Sequence, residues 1–285
     1  MPAKVGMSKE FLCAVKKALV VEGTKLVPRF GFKDNALLSM SISALSECNS
    51  FEDVKVLNRI DISTLFPRGF PVAVVEHIVE ESNKTVYLGL DKSFNKSSIL
   101  KAVAKNSKLY ESGRYKPPSA GDVVEQAINI KFGALLPYCD HWPEAAALEY
   151  MPSNAPFAAK SLVEFVDTTC YYVERVKSLQ SVIASGNILL QARVSDSFCS
   201  PHRSNSIADV HDGSDEELFW KNFAYAVPLS SGPYIGDGFL GCGWYALRAK
   251  VAAVYGVGVL SFMGEKSGNR SETKAMVRRI VDRLL

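Results

Sequence analysis

Histidine is scarce in this 285-residue chain, and none of it is arranged for chemistry: His77, His141, His202 and His211 stand far apart. No Glu-x-x-His spacing places a carboxylate and an imidazole on one helical face, as a di-iron helix bundle requires. Glu76-His77 and Asp140-His141 are adjacent in sequence, so on a helix they point in different directions. The six cysteines, Cys13, Cys48, Cys139, Cys170, Cys199 and Cys242, include no Cys-x-x-Cys pair. That excludes a disulfide framework and suits free thiols in a reducing compartment. Cys199, His202 and His211 make one Cys-x-x-His without a second pair, which falls short of a zinc site. No serine or cysteine sits in a nucleophile motif. No apolar run reaches the roughly 18 residues of a membrane span, so no crossing of a bilayer is expected. A net charge of +3 is too small to announce a nucleic-acid partner. These absences predict a protein that is not an enzyme and has no catalytic residue, metal or cofactor.

One apparent exception is Gly236, Gly238 and Gly241 in GDGFLG, which match the spacing of a dinucleotide-binding loop. The match lacks the strand–turn–helix setting that gives it meaning, and Pro228 and Pro233 precede it. It reads as a glycine-rich loop.

What the sequence does hold is helical periodicity. From Phe11 the apolar residues Val15, Ala18, Leu19 and Leu26 recur at helical spacing as far as Pro28 and Gly31. Asp34 is placed to open a second helix through ALLSMSISALSE, CNSFEDVKVLNR reads as a connection, and DISTLFPRGF as a short third element. PVAVVEHIVEES resumes the pattern. KNSKLYESGRYKPPSAGD loses it and gathers Ser, Gly and Pro, which marks a boundary. Helical spacing returns on both sides of Pro137 and Pro143, in APFAAKSLVEFVDTTCYYVERVKSL, and in a last pair over roughly 244–263 and 271–285. In the final helix Met276, Val277, Ile280, Val281 and Leu284 form one stripe. Residues 195–217 have too few large apolar side chains to order themselves.

The fold class expected is therefore all-α. The domain reading is a short leader at 1–8, a helix-turn-helix-like unit at 9–104, a linker at 105–122 and a C-terminal helical domain at 123–285. The second element of the N-terminal unit, DISTLFPRGFP, carries Asp61, a proline and only Arg68 as a positive side chain, a poor match for phosphate attraction. No nucleic acid is expected as partner.

Three stretches, PYCDHWPEAAALEYMPSNAP (137–156), LVEFVD (162–167) and GDGFLGCGWYALRAKVAAVY (236–255), together resemble the Coq-nine family, lipid-binding accessory proteins of ubiquinone biosynthesis. Weaker similarity runs through LVPRFGF, DISTLFPRGF and RRIVDRLL. The resemblance implies a fold like that of TetR regulators, with a helix-turn-helix domain followed by a ligand-binding and dimerisation domain. It also implies a homodimer at the matrix side of the mitochondrial inner membrane. The implied partners are an isoprenoid quinone or other lipid, the demethoxyubiquinone hydroxylase and the coenzyme Q biosynthetic complex. Against the family pattern, residues 173–235 read as an insertion, and Cys170 and Tyr171 stand where the family has Trp-His. Gly241 and Gly243 replace an Asp and an Asn. The family's amphipathic membrane helix has no counterpart before Leu285, which leaves the apolar segment ELFWKNFAYAV (217–227) as a candidate for peripheral membrane contact.

On that resemblance the lipid pocket is assigned to Leu135, Leu148, Phe157, Leu162, Val166, Val251, Val254 and Phe262. The partner surface is assigned to Asp167, Cys170, Tyr171, Trp244, Tyr245 and Arg248. Two alternatives stand beside this reading: a TetR-like, ligand-responsive DNA-binding regulator, and a lipid-free scaffold subunit. At the Trp-Tyr pair, helical geometry separates a face of Trp244, Leu247, Val251 and Val254 from one of Tyr245, Arg248, Ala252 and Tyr255, so one ring is expected to face outward.

Overall fold

The computed structural model describes residues 9–47, 62–106, 112, 114–184 and 242–285. Every regular element among them is helical: α1 (Lys9–Phe30), α2 (Asp34–Glu47), α3 (Ile62–Leu65), α4 (Phe70–Phe94), α5 (Lys96–Lys105), α6 (Ala120–Leu135), a 3-10 turn (Leu136–His141), α7 (Trp142–Glu149), α8 (Ala155–Ala184), α9 (Cys242–Gly264) and α10 (Ser271–Leu284). The all-α expectation holds for these residues. The leader 1–8, the connection 48–59, the polar stretch 195–217, the segment 217–227, Cys199, His202, His211 and the glycines Gly236, Gly238 and Gly241 lie outside them.

The first helix ends where its sequence says it should, for two physical reasons. Gly31 takes a positive φ of 65°, and its N–H donates to the Val27 carbonyl at 2.8 Å, closing the helix as a left-handed residue does. A Cβ there would also come within 2.8 Å of His141 Nδ1 and 3.0 Å of Glu144 Oε2. The turn after α1 is thus pressed against α7.

Helix α4 is the central element, packing against α1, α6 and α8. It is longer than its sequence pattern suggests, because Ile78, Ser82, Val86, Leu90 and Phe94 continue one buried stripe at four-residue spacing. A single hydrophobic cluster runs from Leu19 on α1 through Val75 and Leu90 on α4 to Phe132, Phe165 and Phe262. It spans the boundary expected at 105–122.

Two sequence expectations need correction. Helix α6 begins at Ala120, inside the linker expected to run to 122: Ser119 Oγ accepts from the Asp122 N–H at 3.1 Å while Asp122 Oδ2 accepts from the Ser119 N–H at 2.7 Å, a reciprocal cap. Residues 173–184, the start of the segment read as inserted, are the last turns of α8, with Val173, Val176 and Leu179 buried in the core. Finally, 243–264 in α9 is long and apolar enough to cross a membrane by length and composition alone, contrary to the expectation that no such run exists; 28% of its most apolar stretch is buried. Its glycines sit inside a continuous helix. One of them, Gly258, lets α9 approach α6, since a Cβ there would lie 3.0 Å from the Phe132 ring.

The last two helices are clasped together by Glu265. Its carboxylate accepts from the Glu272 and Thr273 N–H groups at 3.1 and 2.8 Å and from Thr273 Oγ1 at 2.7 Å. Against the upward push of burial, these bonds and one from Ser267 bring the Glu265 carboxyl down to about 2. The first orphan donors of α10 are thus satisfied from outside the helix.

Candidate functional site

Along α6 the residues Val124, Ala127, Ile128, Lys131, Phe132 and Leu135 recur at helical spacing, and all of them are buried. A lysine therefore occupies a core position, with 2% of its surface exposed. Its ammonium is held from α4, donating to Ser82 Oγ at 3.1 Å and to Asn83 Oδ1. Asn83 Nδ2 in turn donates to the carbonyl and hydroxyl of Ser161 on α8, both at 3.1 Å. The ammonium lies over two rings, 5.1 Å from the centroid of Phe165 and 5.5 Å from that of Tyr255, a cation–π arrangement. Burial pulls its pKa down to about 8, opposed by the charge of Glu149.

This lysine borders a cavity of about 290 Å³ enclosed by five helices. Val79 comes from α4; Trp142, Ala146 and Glu149 from α7; Ala158, Ser161, Leu162 and Phe165 from α8; Ala252, Tyr255, Gly256 and Val259 from α9. Tyr150, Ala155, Ala159, Leu162 and Gly256 line it and are exposed, so they form its mouth. Burial raises the Glu149 carboxyl, with Lys131 working the other way, and raises the Tyr255 phenol well above its ordinary range. Ionisable groups pushed from their ordinary values in a largely apolar cavity are a mark of a functional site.

Of the eight residues assigned to a lipid pocket, the structure brings only Leu162 to this cavity. Leu135, Val251, Val254 and Phe262 are wholly buried in helix packing, Val166 nearly so, and Leu148 and Phe157 are partly buried against the core. What brings the cavity together instead are small side chains, Ala146, Ala158, Ala252 and Gly256, which leave room, and the aromatic rings that wall it. The signal in the sequence was Lys131 itself, a charge in the middle of an apolar stripe.

The residues assigned to a partner surface gather on α8 and the start of α9, with one exception. Arg248 Nε pairs with Asp167 Oδ1 at 2.8 Å and Arg248 Nη1 lies 3.7 Å from Glu174 Oε1. Its guanidinium sits 3.4 Å from the centroid of the Trp244 ring, and Trp244 meets Tyr245 edge-on at 4.7 Å. Trp244, Tyr245 and Tyr171 are 38%, 67% and 52% exposed. Both rings of the pair thus face outward, where the helical geometry called for one; Arg248 covers Trp244 from the side. Cys170 is the exception: it is fully buried, its thiol pushed up to about 11 by that burial. Among the described residues no group of three or more His, Cys, Asp or Glu is placed to hold a metal ion.

No protein-family model matches the chain. Over 79 residues it is 30% identical to the ubiquinone biosynthesis protein COQ9, mitochondrial, of Drosophila melanogaster, which is 28% of this chain and 24% of that protein. Over 74 residues it is 24% identical to the human protein of the same name and 26% identical to COQ9-A of Xenopus laevis, in each case 26% of this chain and 23% of the relative. The chain thus spans about a quarter of the length of the curated relatives it matches, and within that span it is distantly similar to mitochondrial COQ9 proteins.

Proposed function

We propose that the chain is a non-catalytic lipid-binding protein of ubiquinone biosynthesis. It takes up an isoprenoid quinone intermediate and presents it to the demethoxyubiquinone hydroxylase of the coenzyme Q biosynthetic complex. The observation that carries this reading is the apolar, aromatic-walled cavity whose mouth is formed in part by the exposed apolar side chain of Leu162. Burying apolar ligand surface there contributes about 25 cal/mol for each Å² removed from water, so holding needs no catalytic group. The names of the three relatives support the pathway and a mitochondrial location. The matrix side of the inner membrane, a TetR-like layout and a homodimer complete the proposal.

In this reading the partner grips the surface of Trp244, Tyr245 and Arg248, and the same helix α9 forms a cavity wall through Ala252, Tyr255 and Gly256. Large aromatic side chains beside an arginine are common anchors of interfaces. A DNA-reading role is less well supported. Helix α3 is a single turn, Leu65 and the following Phe66 are buried, and Arg68 is paired with Glu76 at 2.6 Å.

Gentle purification followed by mass spectrometry of extracted lipids tests the proposal. A prenylated quinone or its precursor in reproducible yield is expected. A consistently empty protein that still captures the hydroxylase would replace it with the scaffold reading.

A further inference from the structure

We propose that the cavity is a head-group site. The oxygen-bearing ring of the ligand enters first, its carbonyl or phenolate oxygen lies against the Lys131 ammonium, and its apolar chain leaves through the mouth beside Leu162 and Gly256. The inference rests on the lipid-binding reading and adds to it which end of the ligand is held and by what: the ring is sheltered against Lys131 until the hydroxylase draws it out.

Three observations carry it. An ammonium has three N–H donors, and two of those on Lys131 are taken by Ser82 and Asn83; no other described residue accepts from it. Among the described residues no carboxylate lies within ion-pair distance of Lys131; Glu149, which lines the same cavity, acts on it from farther off and leaves its third N–H without an acceptor. The polar end is the buried end: Lys131 is almost wholly covered, whereas the mouth residues Tyr150 and Leu162 are 69% and 38% exposed. A ligand that entered tail first would put methylenes against the ammonium and leave it uncompensated.

Size decides between ends as well. About 290 Å³ is at the small end of ligand cavities, enough for a ring and too little for a long polyprenyl tail. The walls suit a flat ring, since Trp142, Phe165 and Tyr255 all line the space. Glu149, whose carboxyl is kept raised by burial, offers an acceptor for a ring hydroxyl. A fatty-acid carboxylate would satisfy the same ammonium. The aromatic walls and the short cavity favour the ring.

The full-length chain is titrated by calorimetry with three probes: a ubiquinone analogue carrying one isoprene unit, prenylbenzene with no ring oxygen, and palmitate. Wild-type protein is expected to bind the quinone. Lys131→Met should weaken that binding about ten- to a hundredfold, the worth of a charge-assisted hydrogen bond, while leaving prenylbenzene unchanged and the protein cooperatively folded. Gly256→Leu, at a position whose Cβ direction is open, should weaken both by filling the mouth. Equal quinone affinity in Lys131→Met would overturn the assignment, as would palmitate binding that needs Lys131 without any quinone binding. Native lipid recovered equally from wild type and Lys131→Met would sink the head-group site and leave the lipid-binding reading standing. No lipid and no probe in wild type would remove both.

Discussion

Lys131 and Arg248 are two cations that each lie over aromatic rings, and the fold treats them oppositely. Arg248 stands at the surface end of α9 with two carboxylates, Asp167 and Glu174, close enough to neutralise it. Lys131 is buried beside the cavity with neutral hydrogen-bond partners, Glu149 acting on it only from beyond ion-pair distance, and burial lowers its pKa to about 8. The arginine is a compensated charge with outward-facing rings around it, suited to protein contact. The lysine is a charge only partly offset by Glu149 and kept at a desolvation cost, and perturbed groups of that kind cluster at functional sites.

The strongest way to break this comparison is through the rings beneath each cation. Phe165→Ala removes a wholly buried side chain and should cost about 3–5 kcal/mol, whereas Trp244→Ala, at a partly exposed ring, should cost about 1 kcal/mol or less. Chemical denaturation of both variants measures the difference; similar losses would erase the distinction between core and surface.

Removing the cations themselves should give opposite signs. Lys131→Met should stabilise the protein at pH 7 by about 1–2 kcal/mol, the relief of a desolvated charge less the hydrogen bonds it made. Arg248→Met should destabilise it by about 1 kcal/mol or less, since Asp167 is half exposed and water takes over the lost partner.

A pH series sharpens the same contrast. A lysine whose folded pKa lies below its ordinary 10.5 binds fewer protons folded than unfolded between about 8 and 10.5. Its penalty is therefore fully present below pH 8 and disappears as the pH rises through that window. The stability gap between Lys131→Met and wild type should close over the same range. Taking the difference cancels Cys170, whose raised thiol pKa makes stability fall between about 9 and 11 in both proteins. A gap that stays constant with pH would mean that Lys131 is not desolvated.

The smallest effect on stability, and the largest on assembly, is expected from Trp244→Lys. Thermal unfolding should move by only a degree or two, while capture of the demethoxyubiquinone hydroxylase by the full-length protein should weaken. Unfolding of the variant would show that the ring supports α9 instead of a partner.

How much of this was legible in the sequence depends on the kind of signal. The starts of α1, α2 and α10 and the extent of α9 carried apolar spacing bounded by Pro or Gly, and were readable. The second half of α4 was not, because Ser82, Asn83 and Lys84 break the apolar spacing. Ser82 and Asn83 are polar for a tertiary reason: they hold Lys131 on another helix. The cavity was equally hidden. Large apolar residues were the natural guess for its lining, but large residues fill space, and the open volume follows from alanines and a glycine whose facing partners periodicity does not reveal. The grouping of Asp167, Tyr171, Trp244, Tyr245 and Arg248 was readable because these residues are close on two helices at turn spacing, whereas at Cys170 one position on α8 separates core from solvent.

The contact between Glu144 and the turn after α1 has a consequence for how the chain can be divided. Glu144 Oε2 accepts from the Phe32 N–H at 3.2 Å across 112 residues of sequence, and α4 supplies Val79, Ser82 and Asn83 to the same neighbourhood. The C-terminal half is therefore not a module that can be cut free and grafted elsewhere. A piece beginning at Ala120 would carry Lys131 without the hydroxyl and amide that seat it and α7 without its brace, so shortening the protein from its front end should empty the cavity before it touches a single residue of the surface around Trp244.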